Sequence, residues 1–279
     1  MKLRVTHLTR YEYEQPVAFS SHALYLRPRE TPRNRLLRLA YNIAPSARVY
    51  ATQDHYDNTL TYVHFWDRAA ALNIRSEFEI ENLEDHPFDF ILRADAAKFP
   101  FAYTPAEQLA LSPYLSTPFN QSLPLLRNWL DEHFVSRPTE TLPFLTGLNT
   151  ILYCHLEYQQ RDDPGLQSAA KTLETRSGTC RDYAMLLAGL CRVVGLAARF
   201  VSGYLYTYPD DNRVSTGAMH AWTEVYLPGA GWKGLDPTHG IFTTHTYVPL
   251  AHAPTPPKSA PSKAPTSAPS PCAHNSPRG

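Results

Sequence analysis

Three residues in the second half of the chain carry side chains that could do covalent chemistry together. Cys180 offers a thiol, His220 an imidazole and Asp236 a carboxylate. A thiolate attacks carbonyl carbons, an imidazole can take up the thiol proton, and a carboxylate can hold that imidazole in the correct tautomer. Acyl transfer through a cysteine thioester requires these three groups.

The residues around Cys180 predict that it opens a helix. Thr179 followed three residues later by Asp182 resembles a capping box, apolar residues then recur at helical spacing, and Gly195 suits the position just beyond the last turn. At a helix start the backbone N–H groups and the helix dipole favour the thiolate. The alternative role of Cys180 is that of a small buried residue.

His220 and Asp236 are predicted to lie on two neighbouring strands. Residues 219–227 alternate as a strand does, 228–231 read as a turn, and 232–237 begin a second strand. A hairpin would bring the imidazole and the carboxylate together. Each residue is a weak signal alone, because most histidines and aspartates are solvated or capping residues, and Asp236 before a proline could simply start a turn.

Strand parity makes this hairpin a geometric prediction, because neighbouring side chains on a strand point to opposite faces. Pairing Leu227 with Trp232 would turn Asp236 away from His220. Pairing Tyr226 with Trp232, or adding a bulge, puts both on one face. We therefore expect an odd-length loop or a bulge, a hydrogen bond between His220 and Asp236, and Cys180 on the other side of the imidazole.

Four separate motifs, in order, resemble those of the bacterial transglutaminase-like proteins. They are Gly-x-Cys-Arg-Asp at 178–182, the run 195–204, His-Ala-Trp at 220–222, and Gly-Trp-x-Gly-x-Asp-Pro-Thr at 231–238. The resemblance extends to about His252 and implies an N-terminal β domain followed by a papain-like catalytic core. It also implies that Cys180 is the nucleophile, His220 the base and Asp236 its orienting partner, with no cofactor and no metal.

The chain as a whole is predicted to be α+β, with an antiparallel β domain at 1–101, a transglutaminase-like core at 102–252 and a disordered tail at 253–279. Short alternating segments between turn signals fill the first part. The tail is rich in Pro, Ala and Ser, which cannot bury enough apolar surface to fold. This tail departs from the family pattern.

Two amphipathic helices are expected at the start of the core, each from apolar residues on one helical face. The first is marked by Leu123, Leu126, Leu130 and Phe134, and the second by Leu145, Leu148 and Leu152. Cys154 falls on the second helix, and we interpret it as a small buried hydrophobe without a role. Cys272 falls in the tail and is interpreted as incidental.

Composition argues against several other classes of protein. The chain has 26 basic and 26 acidic residues and no Lys/Arg-rich run, so neither nucleic acid nor a membrane surface is an expected partner. The amino terminus lacks the apolar segment of a signal peptide, and the four cysteines include no C-x-x-C pair. We expect a cytoplasmic protein with reduced thiols; the sequence does not indicate its oligomeric state.

Three functions stay open at this point. The first is an enzyme that forms a thioester at Cys180 from a peptide or protein amide and passes the acyl group to water or an amine. The second is a binding or scaffold module that keeps the fold without turnover. The third uses Cys180, His220, Asp236 and His239 as metal ligands, although no short ligand spacing supports it. The Asp-Asp-Asn segment at 210–212 resembles a metal loop only faintly.

Overall fold

The computed structural model of the chain describes residues 1–83, 86–116, 122–134, 138–161, 165–207 and 219–256. The Asp-Asp-Asn segment at 210–212 and most of the expected tail, with Cys272, lie outside these described residues. The fold is mixed, with an antiparallel β region first and a helix-and-sheet core after it, as the sequence predicts.

The N-terminal region is a sandwich of two antiparallel sheets with one apolar cluster between them. Its strands are β1 (Lys2–Ala18), β2 (His22–Leu24), β3 (Asn34–Ala44), β4 (Ala47–Gln53), β5 (Thr59–Phe65) and β6 (Arg68–Asn82). One sheet has the order β1-β6-β3 and the other β2-β5-β4. The alternation of half-buried and exposed residues along most of β1 shows why the sequence forms a strand here.

The second region carries five α-helices within the described residues and a five-stranded antiparallel sheet of order β12-β11-β10-β9-β13. The elements are a 3-10 turn (Ala94–Ala97), α1 (Pro105–Leu115), α2 (Leu123–His133), α3 (Thr141–His155), β7 (Glu157–Tyr158), α4 (Ala169–Thr175), β8 (Ser177–Gly178), α5 (Cys180–Val193), β9 (Ala198–Leu205), β10 (Met219–Leu227), β11 (Gly231–Asp236), β12 (Ile241–Phe242) and β13 (Tyr247–Ala253). The two amphipathic helices predicted from leucine spacing are α2 and α3.

Helix α5 is the centre of this region, and its side chains are buried on nearly every side. It packs against α2 and α3 on one flank and against β9 and β10 on the other, in one continuous apolar cluster. Leu186, Leu187 and Leu190 are fully buried there, and each contributes about 2 kcal/mol of hydrophobic stabilisation. The helix ends before Gly195, whose φ of 84° is in the left-handed region.

The two regions are joined by apolar contacts and by hydrogen bonds from a side-chain amide to the backbone of a strand. Tyr204 of β9 and Val248 and Leu250 of β13 belong to the same apolar cluster as the sandwich interior. Asn58 donates to the carbonyl of His252 (2.8 Å) and accepts from its N–H (2.9 Å), as a neighbouring strand would. The five-stranded sheet is thereby held against the N-terminal sandwich.

Strand β13 continues past the point where composition suggested that the tail begins. Ala253 pairs with Phe200 of β9, and the buried Arg192 donates to the carbonyl of Pro254 at 2.5 Å. These backbone partners order the chain although its composition here is already poor in large apolar residues. The last strand of the sheet therefore includes one residue that the sequence assigned to the tail.

The sequence prediction that Cys154 is buried is wrong, because the residue is exposed. The buried face of α3 is defined by Leu148 and Leu152. Cys154 is two residues beyond Leu152, which places it roughly 200° further around the helix. Its thiol therefore faces solvent, whereas Cys191 on α5 is fully buried.

Candidate active site

Cys180 is the first residue of α5, as the capping pattern predicted. Asp182, at the third helical position, accepts hydrogen bonds from both the backbone N–H and the hydroxyl of Thr179, each at 2.8 Å. The first N–H groups of a helix have no intrahelical acceptor and point out of its start. The thiol of Cys180 thus lies at the positive end of a well-buried helix, with 9% of the residue exposed.

The carboxylate of Asp182 also ties the preceding loop to the helix. Arg161 donates to both of its oxygens (2.9 and 2.8 Å), and the N–H of Gln167 donates at 2.7 Å. Burial alone would raise the pKa of Asp182, but these hydrogen bonds and the one from the Thr179 N–H hold that pKa below its ordinary value. Sequence reasoning identified the cap but not Arg161 or Gln167.

The hairpin of β10 and β11 has the register that places the imidazole and the carboxylate together. Tyr226 pairs with Trp232 and Leu227 with Gly231, so three residues, 228–230, form the loop. An odd loop length was the condition for His220 and Asp236 to share a face. That geometric prediction is confirmed.

Asp236 and His220 form a short hydrogen bond, from His220 Nε2 to Asp236 Oδ2 at 2.7 Å. The Asp236 side chain is inaccessible to solvent and that of His220 is 10% exposed. Because Nε2 is used for the carboxylate, the other ring nitrogen, Nδ1, is left for a partner on the opposite side. The thiol of Cys180 is close enough to the same imidazole to help raise its pKa.

The electrostatics of the site favour a charged imidazole. Burial by itself lowers the pKa of His220, but hydrogen bonds and Coulombic attraction from Asp236 and Cys180 outweigh it and raise the pKa to about 9. The opposite shift occurs at Asp236: burial would raise its pKa, yet His220 and His239 hold it far below the ordinary range. The arrangement can therefore keep a proton on His220 at neutral pH.

Three further residues donate to Asp236 and were not assigned this role from the sequence. Oδ2 of Asp236 accepts from His239 Nδ1 and from the Tyr247 hydroxyl, both at 2.7 Å, while the Thr238 N–H donates to Oδ1 at 2.9 Å. Tyr247 opens β13, which reaches the site only because that strand pairs with β9. No local sequence signal connects it to the site.

Comparison with known proteins places this site in a family. The model of the transglutaminase-like superfamily matches residues 130–237, and that of the bacterial transglutaminase-like N-terminal region matches residues 3–81. The chain is also 30% identical over 261 residues to an uncharacterized protein of Mycobacterium tuberculosis, an alignment that covers 88% of this chain and 82% of the relative. This chain belongs to the bacterial transglutaminase-like family.

One solved structure shares the architecture of this transglutaminase-like chain, and one named relative shares a short segment of its sequence. The crystal structure of a candidate cysteine protease from Cytophaga hutchinsonii superposes with a TM-score of 0.72 at 17% identity, covering 91% of this chain and 82% of that one. A protein-glutamine gamma-glutamyltransferase of Pseudomonas aeruginosa is 38% identical over 72 residues, which is 24% of this chain and 11% of that protein. The first of these likenesses shows the fold.

The metal-site alternative rests on a smaller group than the sequence suggested. His220, Asp236 and His239 place their possible ligand atoms within 4.8 Å of one another, and Cys180 is not a member of that group. Both imidazoles instead hydrogen-bond the same oxygen of Asp236. The observed contacts are hydrogen bonds from two imidazoles and the Tyr247 hydroxyl to one carboxylate oxygen.

The buried ring of Trp222 packs close to His220, and its closeness to β9 requires a glycine at position 203. Trp222 is buried and its ring lies 6.3 Å from that of His220 and 5.3 Å from that of Tyr247. Gly203 of β9 faces it, and a Cβ there would approach the Val248 carbonyl oxygen to 2.1 Å and the Trp222 ring to 2.7 Å. Space at this position is limited by backbone as well as by side chain.

We expect Gly203→Ala to destabilise the fold by about 2 kcal/mol or more, because overpacking against a rigid strand forces a backbone shift. Urea unfolding of the variant measures this. Gly147→Ala is the matched control, since a Cβ at Gly147 would meet Phe134 at an ordinary 3.5 Å within a helix, where alanine is the better residue. A Gly203→Ala protein as stable as the control would show that the sheet adapts freely.

Across the described residues, no helix is both long and apolar enough to cross a lipid bilayer.

Proposed function

We propose that this protein is a thiol enzyme that transfers acyl groups from peptide or protein amides, with Cys180 as nucleophile, His220 as acid–base and Asp236 as its orienting partner. The carrying observation is the hydrogen bond between His220 and the buried Asp236, with the thiol of Cys180 at the start of a buried helix and close enough to His220 to help raise its pKa. Helix-start N–H groups stabilise the thiolate, and the buried carboxylate stabilises the imidazolium.

In the proposed first step the sulfur of Cys180 attacks the carbonyl carbon of the amide while its proton resides on His220. The C–N bond then breaks, and His220 gives its proton to the departing nitrogen, which leaves ammonia or an amine and an acyl thioester on Cys180. Water or a second amine attacks the thioester, His220 takes the proton from it, and the thiol is released. The Cys180 N–H is suited to stabilise the oxyanion in both steps.

A glutamine carboxamide is the acyl donor that the similarities support best. The similar Pseudomonas protein is a protein-glutamine gamma-glutamyltransferase by name, and the shared segment is short. Incubation with a glutamine-containing protein and a fluorescent primary amine tests transfer, while ammonia release without amine tests hydrolysis. Neither product, under conditions where Cys180 is reactive, would favour the catalytically silent binding or scaffold alternative.

The pKa of His220 predicts a pH limit for this activity. The imidazolium donates the proton to the leaving nitrogen, so turnover should fall as the pH rises through about 9, where His220 loses that proton. Tyr247→Phe removes one donor to Asp236 and keeps its negative charge, so the limit should move little. Asp236→Asn removes the charge that raises the pKa of His220, so any residual activity should be lost at a lower pH. A pH–rate profile measures both.

An alkaline limit that stays at the same pH in Asp236→Asn would contradict the assignment of that limit to His220.

The division into a β domain at 1–101, a core at 102–252 and a tail at 253–279 also stays a proposal, as do a cytoplasmic location and a mechanism that needs no cofactor. The described cysteines, Cys154, Cys180 and Cys191, are free thiols, which is compatible with a reducing compartment.

A further inference from the structure

Two histidines meet at the C-terminal ends of α2 and α3, away from the residues of the proposed triad. His133 closes α2 and His155 closes α3, and their Nε2 atoms are 3.2 Å apart. Their rings are inclined at 77° with centroids 4.6 Å apart. The imidazoles thus converge on one point from two separate helices.

The tautomer of His133 is fixed by its other nitrogen. Nδ1 of His133 lies 2.8 Å from the backbone carbonyl of Trp129, an acceptor, so this nitrogen must carry the hydrogen. The lone pair of the neutral ring is therefore on Nε2, the atom that faces His155. Metal-bound histidines almost always donate their second ring nitrogen to a carbonyl or carboxylate in this way.

The distance between the two nitrogens fits that of two imidazoles on one ion. Two nitrogens bound to one tetrahedral zinc ion lie about 3.3 Å apart, close to the 3.2 Å found here. The ring centroids are 4.6 Å apart, closer than the roughly 5.5 Å of a linear N–H···N contact, so the two rings are inclined to each other.

The surroundings of the pair carry charges of both signs. His133 and His155 border a cavity of about 520 Å³ that also receives the side chains of Glu132 and Glu174, with Arg176 as a basic neighbour. Glu174 already forms an ion pair with Lys171 at 3.2 Å. The cavity offers space for water molecules or a carboxylate to complete a coordination shell.

We propose that His133 and His155 form a binding site for a divalent transition metal ion of the kind that prefers imidazole, such as Zn²⁺, Ni²⁺ or Cu²⁺. The two Nε2 atoms are the protein ligands, and water completes the shell. Such an ion would join the ends of α2 and α3. This site is separate from the His220, Asp236 and His239 group and does not depend on the proposed enzyme activity.

Trp129 provides the readout, because its ring stacks on His133 with centroids 4.1 Å apart. We expect Ni²⁺, which is paramagnetic, to quench the fluorescence of Trp129 on titration into the full-length protein. His155→Gln and His133→Gln should each weaken the binding roughly tenfold or more, since even the loss of a residue that only supports a ligand costs 10- to 100-fold. Trp129→Phe should remove the quenching but keep the binding measured by calorimetry.

Two controls separate this site from other histidines. His55→Gln changes an exposed histidine of the N-terminal sandwich and should leave the Ni²⁺ affinity unchanged. His239→Gln removes a member of the other candidate group and should do the same for the Trp129 signal. Ni²⁺ affinity that is equal in the original protein, His133→Gln and His155→Gln would overturn the proposal, as would binding that only His239→Gln removes.

Discussion

Replacing Cys180 with alanine is expected to abolish amide turnover, with a fall in rate of about 10⁴-fold or more, as for nucleophiles of other catalytic triads. The reason is chemical, because no other described thiol lies beside His220 and the thioester cannot form without one. Product release from a glutamine-containing protein, followed with and without an added amine, measures the effect. The variant should also fail to form an acyl-enzyme adduct in intact-protein mass spectrometry.

Cys154→Ala is the matched control for that substitution, since it removes an exposed thiol on α3 that contacts no residue of the triad. Its turnover should equal that of the unmodified protein. The Cys180→Ala protein should stay folded, because alanine fits a helix start without strain and the Asp182 cap is retained. More than a tenth of the original activity in a folded Cys180→Ala protein would contradict the nucleophile assignment.

Replacing Asp236 with asparagine is expected to lower turnover by about 10³- to 10⁴-fold, the loss seen when the carboxylate of a comparable triad is neutralised. Asparagine would present a donor to His220 and favour the wrong tautomer of the ring. It would also replace the charged acceptor of the Tyr247 hydroxyl and of His239 with a neutral amide. Turnover at neutral pH and the alkaline limit of the pH profile both report this change.

The same substitution should destabilise the fold in a pH-dependent way. The pKa of Asp236 is far below its ordinary 3.8, so its ionised form contributes stability that is present above about pH 4 and is lost as the pH falls through the folded-state pKa. The stability difference between Asp236→Asn and the original protein should therefore be about 2 kcal/mol or more at pH 7 and shrink in acid. A folded Asp236→Asn enzyme with unchanged turnover would contradict the triad.

The local parts of this site could be read from the sequence. A capping pattern placed Cys180 at a helix start, and strand parity fixed the condition under which Asp236 and His220 meet; both follow from interactions within about ten to twenty residues. Helices α1 and α4 were not predicted. Helix α1 begins and continues through prolines, and α4 spans only seven residues, so neither offers a clear apolar face.

What the sequence could not supply are contacts set by how strands and loops pack against one another. Tyr247 reaches Asp236 because β13 pairs with β9, and Arg161 reaches Asp182 across a loop; neither pairing leaves a local pattern. Cys154 was misplaced for a related reason. Leucine spacing shows that α3 has a buried face, but the thiol lies off that face, where apolar character alone is a poor guide.

The central claim is tested most directly by alkylation with iodoacetamide at pH 6, followed by peptide mapping over time. Accessibility alone predicts that exposed Cys154 reacts first, because only 9% of Cys180 is exposed and Cys191 is fully buried, with a pKa raised to about 12. We predict the opposite order: Cys180 is modified first, Cys154 slowly and Cys191 hardly at all, since the helix start and His220 activate only Cys180. Modification of Cys154 as fast as Cys180, or faster, would contradict the assignment of Cys180 as an activated nucleophile.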